Sequence, residues 1–133
     1  MKKWLSLLFW LSSVNLSAAQ EYINSRLMLG REFAGKCLQA ALADSAQQKA
    51  IAKRWRLPMA SLPDTTAALG AIEPLLFRVY RKKVIEQQKP YEIYRIEDYW
   101  VISGTLPYGH VGGVFIAVVD VRNSRVLELI HGQ

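Results

Sequence analysis

A chain of 133 residues with 51% apolar side chains is long enough for one packed core and too short for two, and the absence of low-complexity tracts excludes a disordered class. The formal charge of +6 excludes an acidic protein, and one cysteine, Cys37, excludes an internal disulfide. The fold must therefore be held by packing.

Lys2 and Lys3 precede an apolar run from Trp4 to Leu11 interrupted only by Ser6, and Ser17-Ala18-Ala19 closes the segment. That is the order of a secretory signal peptide cleaved after Ala19. Ser12, Ser13 and Asn15 break the run short of the roughly 18 apolar residues a permanent span requires, so no span is expected in the mature form. Gln20 in place of cysteine argues against a lipoprotein. Removing residues 1–19 leaves a single expected domain, residues 20–133, of 114 residues, in which 15 basic and 11 acidic residues give +4. Its expected location is the periplasm.

The segment from Gln20 to Gly30 is weakly patterned. From Arg31 to about Arg56 there is no proline, alanine recurs, and Phe33, Cys37, Leu38, Ala41 and Leu42 fall at three- and four-residue intervals, which predicts a helix with one apolar stripe. Asp44-Ser45 marks a point of interruption. Leu57-Pro58 ends it, and a connector follows to Pro63. Asp64 is a good N-cap for a second helix with Leu69, Ile72, Leu76, Val79 and Tyr80 on its apolar face. Pro74 lies inside that pattern and predicts a kink or a break. Arg81 to Gln88 extends the helix or forms a short strand.

After Lys89-Pro90 the period changes to two. Tyr91 to Ile96 and Trp100 to Thr105, joined at Glu97-Asp98, predict a hairpin; Val114 to Val119 is a continuous apolar run suited to a central strand; Arg122-Asn123-Ser124 turns into a last strand, Arg125 to His131. Strands without intervening helices imply an antiparallel meander, and the two helical segments ahead of it give an α+β domain with the helices expected on one face of the sheet.

Little in this chain points to catalysis, and no cofactor or metal is expected. His110 lies in the glycine-rich loop Pro107 to Gly113, but neither HExxH nor CxxC spacing exists and no GxSxG elbow accompanies the serines. Asp64, Asp98 and Asp120 each suit a cap, turn or strand end. Asp120 with His110, or Glu128 with His131, are pairs that only the fold can bring together. Cys37 reads as a buried, inert thiol. Basic residues cluster at Lys49 to Arg56 and at Arg78 to Lys83, interleaved with Trp55 and Tyr80. A solvated helix face is the simpler account of these clusters; the functional account is an acidic protein surface or an anionic envelope component, since export removes the chain from nucleic acid. Aromatic residues concentrate after residue 90, Trp100 as a core residue and Tyr108 as a contact residue.

Lys89-Pro90-Tyr91, Trp100-Val101, Gly104, Leu106-Pro107, Gly112-Gly113 and His131 stand in an order and spacing that resembles the C-terminal half of small immunity proteins from bacterial polymorphic-toxin (Rhs-type) loci. The resemblance covers about Leu69 to His131. It implies a cone-shaped, nuclear-transport-factor-2-like fold, with helices on a four-stranded antiparallel meander, and a non-enzymatic protein that binds and neutralises a cognate bacterial toxin domain. Lys89, Pro90, Tyr91, Trp100, Gly104, Pro107, Gly112, Gly113 and His131 then form its structural motif, and Arg78, Arg81, Tyr108 and His110 are the candidate partner contacts. A homodimer is compatible with this reading. The helix from Arg31 to Arg56 departs from the family pattern. The competing reading is a periplasmic enzyme or small-ligand binder with a cavity between helices and sheet, and a third is an envelope factor without a toxin.

Overall fold

The structure, a computed structural model, describes residues 26–110 and 112–132. The expected signal peptide lies outside the described residues. Four helices, α1 (Gly30–Ala43), α2 (Ser45–Arg54), α3 (Thr65–Tyr80) and α4 (Lys82–Glu86), precede an antiparallel sheet of β2 (Glu92–Ile96), β3 (Tyr99–Ser103), β5 (Phe115–Asp120) and β6 (Val126–His131) in the order β2-β3-β5-β6. The α+β meander anticipated from the period-two segments is present. A second, two-stranded sheet pairs β1 (Arg26–Leu27) with β4 (Leu106–Pro107). The meander turns where the sequence indicates: Glu97, at φ 54°, links β2 to β3 so that Arg95 faces Trp100, and residues 121–125 link β5 to β6.

The helices cover both faces of the sheet, which corrects the expectation of one. Trp100, Ile102, Phe115, Ala117 and Val119 point to one side, where Ala68, Ile72, Leu75 and Leu76 of α3 and Ile85 of α4 complete the main core. Val101, Val118 and Leu127 point to the other, under Ala34, Leu38 and Ala41 of α1. A strand as apolar as Val-Phe-Ile-Ala-Val-Val loses solvent on both sides only if both are covered, and each large side chain so buried contributes about 1.5–3 kcal/mol. The buried stripe of α1 is accordingly Ala34, Leu38 and Ala41, with Phe33 and Leu42 at its exposed margin. α2 runs along β6.

Helix ends have identifiable causes. Asp44, at φ −115° and ψ 87°, breaks the long helical segment into α1 and α2 and accepts the Gln47 N–H at 2.9 Å. Asp64 accepts the Ala67 N–H at 2.8 Å and starts α3 as its sequence position implies. α1 has no capping side chain of its own; the buried Glu92 carboxylate on β2 accepts the Leu29 and Gly30 N–H groups at 2.7 and 2.8 Å, placing negative charge at the positive end of the helix. α3 does not break at Pro74. Ile72, Leu75 and Leu76, flanking the proline, sit in one core at 2% exposure or less, and their burial outweighs the roughly 3 kcal/mol an interior proline costs. The chain breaks instead at Arg81, φ 71°, before α4, whose Ile85 is fully buried. Among the described residues no helix is long and apolar enough to cross a membrane.

Candidate functional site

The strands end at two edges of the sheet with different chemistry. At the edge formed by Glu92, Ser103, Phe115 and His131, buried polar groups satisfy one another. Arg26, 5% exposed, donates from Nε to Thr105 Oγ1 at 2.8 Å and from its terminal nitrogen to the Gln87 and Thr105 carbonyls at 2.9 and 2.8 Å. Gln88, 2% exposed, accepts the Phe115 N–H at 2.9 Å and lies 2.9 Å from His131 Nε2. His131 Nδ1 stands 2.6 Å from the Gly132 carbonyl, so the tautomer that fits carries its proton on Nδ1 and accepts from the Gln88 amide. The His131 ring also packs 5.1 Å from that of Tyr80. Sequence reasoning missed Arg26, Gln88, Glu92 and Thr105, because isolated polar residues in a polar-looking context carry no burial signal.

The residues of the expected structural motif are distributed through this frame. The Lys89–Pro90 peptide is cis. Tyr91 donates its hydroxyl to Glu73 at 2.8 Å and sets its ring edge-on to Phe115 at 5.3 Å, while Lys89 Nζ lies 3.4 Å from the same carboxylate. Burial, then the Glu73 bond, pushes the Tyr91 hydroxyl far above its ordinary value. Trp100 Nε1 donates to the Leu62 carbonyl at 2.7 Å. Gly104 leaves no room for a side chain beside Gln88, and Gly113 faces the Gly132 backbone as closely. Pro107 pairs with Arg26 in the small sheet, and Gly112 adopts φ 134°.

The candidate contact residues are carried by different parts of the molecule. Tyr108, 63% exposed, and His110, also exposed, sit on the loop after β4, where the His110 N–H donates to the Pro107 carbonyl at 3.2 Å. Arg81 occupies the joint between α3 and α4. Arg78 lines a hollow of about 490 Å³ between α3 and the connector, with Arg56, Leu57 and Leu62. Neither of the pairs left to the fold forms: Asp120 accepts from Arg122 Nε and Nη2 at 3.0 and 2.8 Å, and His131 is occupied by Gln88 and Gly132. The Arg122 bonds hold the Asp120 carboxyl below its ordinary range despite burial, which opposes them.

Asp44, Asp64, Glu73, Glu92 and Asp120 therefore have assigned structural work, and Glu128 does not. Glu128 on β6 keeps Oε1 buried with no hydrogen-bond partner, its other oxygen 3.5 Å from Gln47 Nε2. Burial pushes its pKa up, with Asp44 adding to the rise and the Leu129 N–H opposing it. Cys37 is half-buried, and burial followed by the Glu128 charge pushes its thiol up, away from the reactive thiolate. Because the folded state prefers neutral Glu128, its ionisation weakens the fold as pH rises above the ordinary carboxylate range. Glu128→Gln is expected to raise the thermal unfolding midpoint at neutral pH, and the gap to wild type to close as pH falls toward about 4. A gap that widens on acidification would mean that the charge is stabilised.

A cleft of about 630 Å³ lies between α3 and residues 89–91, lined by Leu69, Gly70, Glu73, Pro74, Lys89, Pro90 and Tyr91. Its one carboxylate is engaged by the Tyr91 hydroxyl and paired with Lys89. Among the described residues no group of three or more His, Cys, Asp and Glu side chains stands close enough to hold a metal ion.

The family model described as NTF2 fold immunity protein matches residues 67–133, the part of the chain that forms most of α3, α4 and all of the main sheet. Two Escherichia coli (strain K12) proteins are similar over about half of the chain. "Uncharacterized protein YbbC" is 40% identical over 69 residues, 51% of this chain and 57% of that protein. "Uncharacterized protein YhhH" is 36% identical over 67 residues, 50% of this chain and 53% of that protein. The chain thus spans about half the length of the curated relatives it matches. No solved structure gives a significant match. With half of its length matched, and with the matched half forming the α3-backed antiparallel sheet, the chain belongs to the immunity protein family of nuclear-transport-factor-2 (NTF2) fold.

Proposed function

We propose that this chain is a periplasmic immunity protein that binds and neutralises a cognate antibacterial toxin of a polymorphic-toxin system by surface complementarity. Membership of the immunity family carries the reading. Two features of the molecule support it. The buried polar groups at the sheet edge are mutually satisfied, and the carboxylate of the cleft beside Tyr91 is already engaged, whereas a general base must be free to reach its proton. Inhibition by occlusion needs only a complementary surface. The order of charges and apolar residues in 1–19 supports export. The reading of a cavity enzyme or small-ligand binder draws on the cleft beside Tyr91, whose carboxylate is already bonded.

The test is size-exclusion chromatography of the chain from Gln20 onward with the toxin domain encoded beside its gene. Co-elution with loss of toxicity is the expected result, and protein recovered by osmotic shock should begin at Gln20. No complex with an active, folded toxin would sink the immunity reading.

A further inference from the structure

From Ser45 to Pro63 the sequence contains Lys49, Lys53, Arg54 and Arg56 and no acidic residue. The fold gives this run a partner that is distant in sequence. The connector is fastened to the β5–β6 turn: Ser124 Oγ donates to the Pro58 carbonyl at 2.6 Å and accepts the Ala60 N–H at 3.3 Å, and the Leu62 N–H donates to the Val121 carbonyl at 2.8 Å. A groove of about 430 Å³ results between α2, the connector and that turn. Lys49, Lys53, Arg56 and Arg125 line it, and no carboxylate does. Among the described residues none of these four cations forms an ion pair. Asp120, close enough to feel Arg125, is committed to Arg122. Its lining is also apolar in part, with Val126 buried, Leu57 half-buried and Met59 87% exposed.

Four unneutralised cations beside apolar lining residues, on a backbone already hydrogen-bonded in place, favour an anionic occupant that also carries an apolar group. A nucleic acid fits less well. Its bases would need an open aromatic face, but the Trp55 ring that lines the groove is half-buried against the main core and carries the Arg54 guanidinium 4.8 Å over it. We propose that this groove is the docking site for an acidic segment of the partner protein, in which Asp or Glu residues flank one apolar side chain that settles on Leu57 and Met59. This rests on the immunity reading for the identity of the partner, and it places the contact on α2 and the β5–β6 turn instead of the Tyr108–His110 loop.

The variant K49E/K53E/R56E/R125E tests it, with K49Q/K53Q/R56Q/R125Q as the milder form should reversal unfold the chain, and K36E on α1 as the control. Toxin affinity is expected to fall on the order of 100-fold on reversal and to stay unchanged in K36E, with association slowed by salt in wild type only. Toxin bound equally well by wild type and by the variants would overturn the groove and leave the immunity reading standing. If wild type binds no toxin, that reading fails and a second arm decides the groove: NMR titration with a synthetic peptide of Glu and Asp around a central Leu, against a DNA oligonucleotide of equal charge. Shifts confined to residues 49–59 and 123–126, caused by the peptide and not matched by the oligonucleotide, support it. No peptide binding, or tighter binding of DNA at the same residues, overturns it.

Discussion

Gly104→Ala is expected to destabilise the fold by about 3–5 kcal/mol, seen as a leftward shift of the urea unfolding midpoint. The new methyl would land on the side chain of Gln88, 2.7 Å from its Cβ and closer still to its amide oxygen. Gln88 cannot step aside. It is 2% exposed, its amide oxygen accepts the N–H of the fully buried Phe115, its amide nitrogen meets His131, and its backbone carbonyl accepts the Thr105 N–H at 2.8 Å. Overpacking alone costs about 1–3 kcal/mol, and a buried Phe115 N–H left without its acceptor adds about 1–3 kcal/mol. Gly70→Ala on α3 is the control, since a methyl there meets nothing within 4 Å. Helix propensity then predicts a gain of about 0.5–1 kcal/mol. Equal effects at the two glycines would show that Gln88 does not hold the sheet edge.

The contrast between these two glycines shows what a sequence exposes and what it hides. Caps and periods are local, so Asp64 starting α3, the interruption at Asp44 and the meander from Glu92 to His131 are legible from spacing alone. The covering of both sheet faces was implied by the unbroken apolar run of β5, whose two-sided burial demands two layers. Other features depend on residues far apart in the chain. Glu92 caps α1 from 62 residues away, and Arg26 reaches Thr105 across 79. A buried glutamate and a surface glutamate look alike until the fold is known. The candidate surface has the same character: the basic run Lys49 to Arg56 is plain in the sequence, but Arg125 joins it only because Ser124 fastens the connector to the β5–β6 turn.

Trp100 anchors that connector, and its replacement is expected to have the other large effect. The indole is 5% exposed among Leu62, α3 and the central strands, and Nε1 donates to the Leu62 carbonyl at 2.7 Å. Trp100→Ala empties the space of the whole indole, at about 3–5 kcal/mol, a large share of the roughly 5–15 kcal/mol that holds a domain of this size. Trp100→Phe separates the two contributions of the side chain. Most of the apolar volume remains, but the Leu62 carbonyl, on a residue only 3% exposed, loses its donor, for about 1–3 kcal/mol. Leu62 also donates its own N–H to Val121, so the phenylalanine variant should loosen the connector locally before the sheet melts. Faster amide exchange at residues 57–62, with β3 and β5 still protected, is the expected signature. Because the connector walls the basic groove, the same variant should weaken partner binding more than its loss of global stability explains, whereas the Glu128→Gln substitution on β6 should leave binding unchanged. Uniform exchange across connector and sheet would mean instead that Trp100 acts by volume alone and that the indole N–H contributes nothing specific.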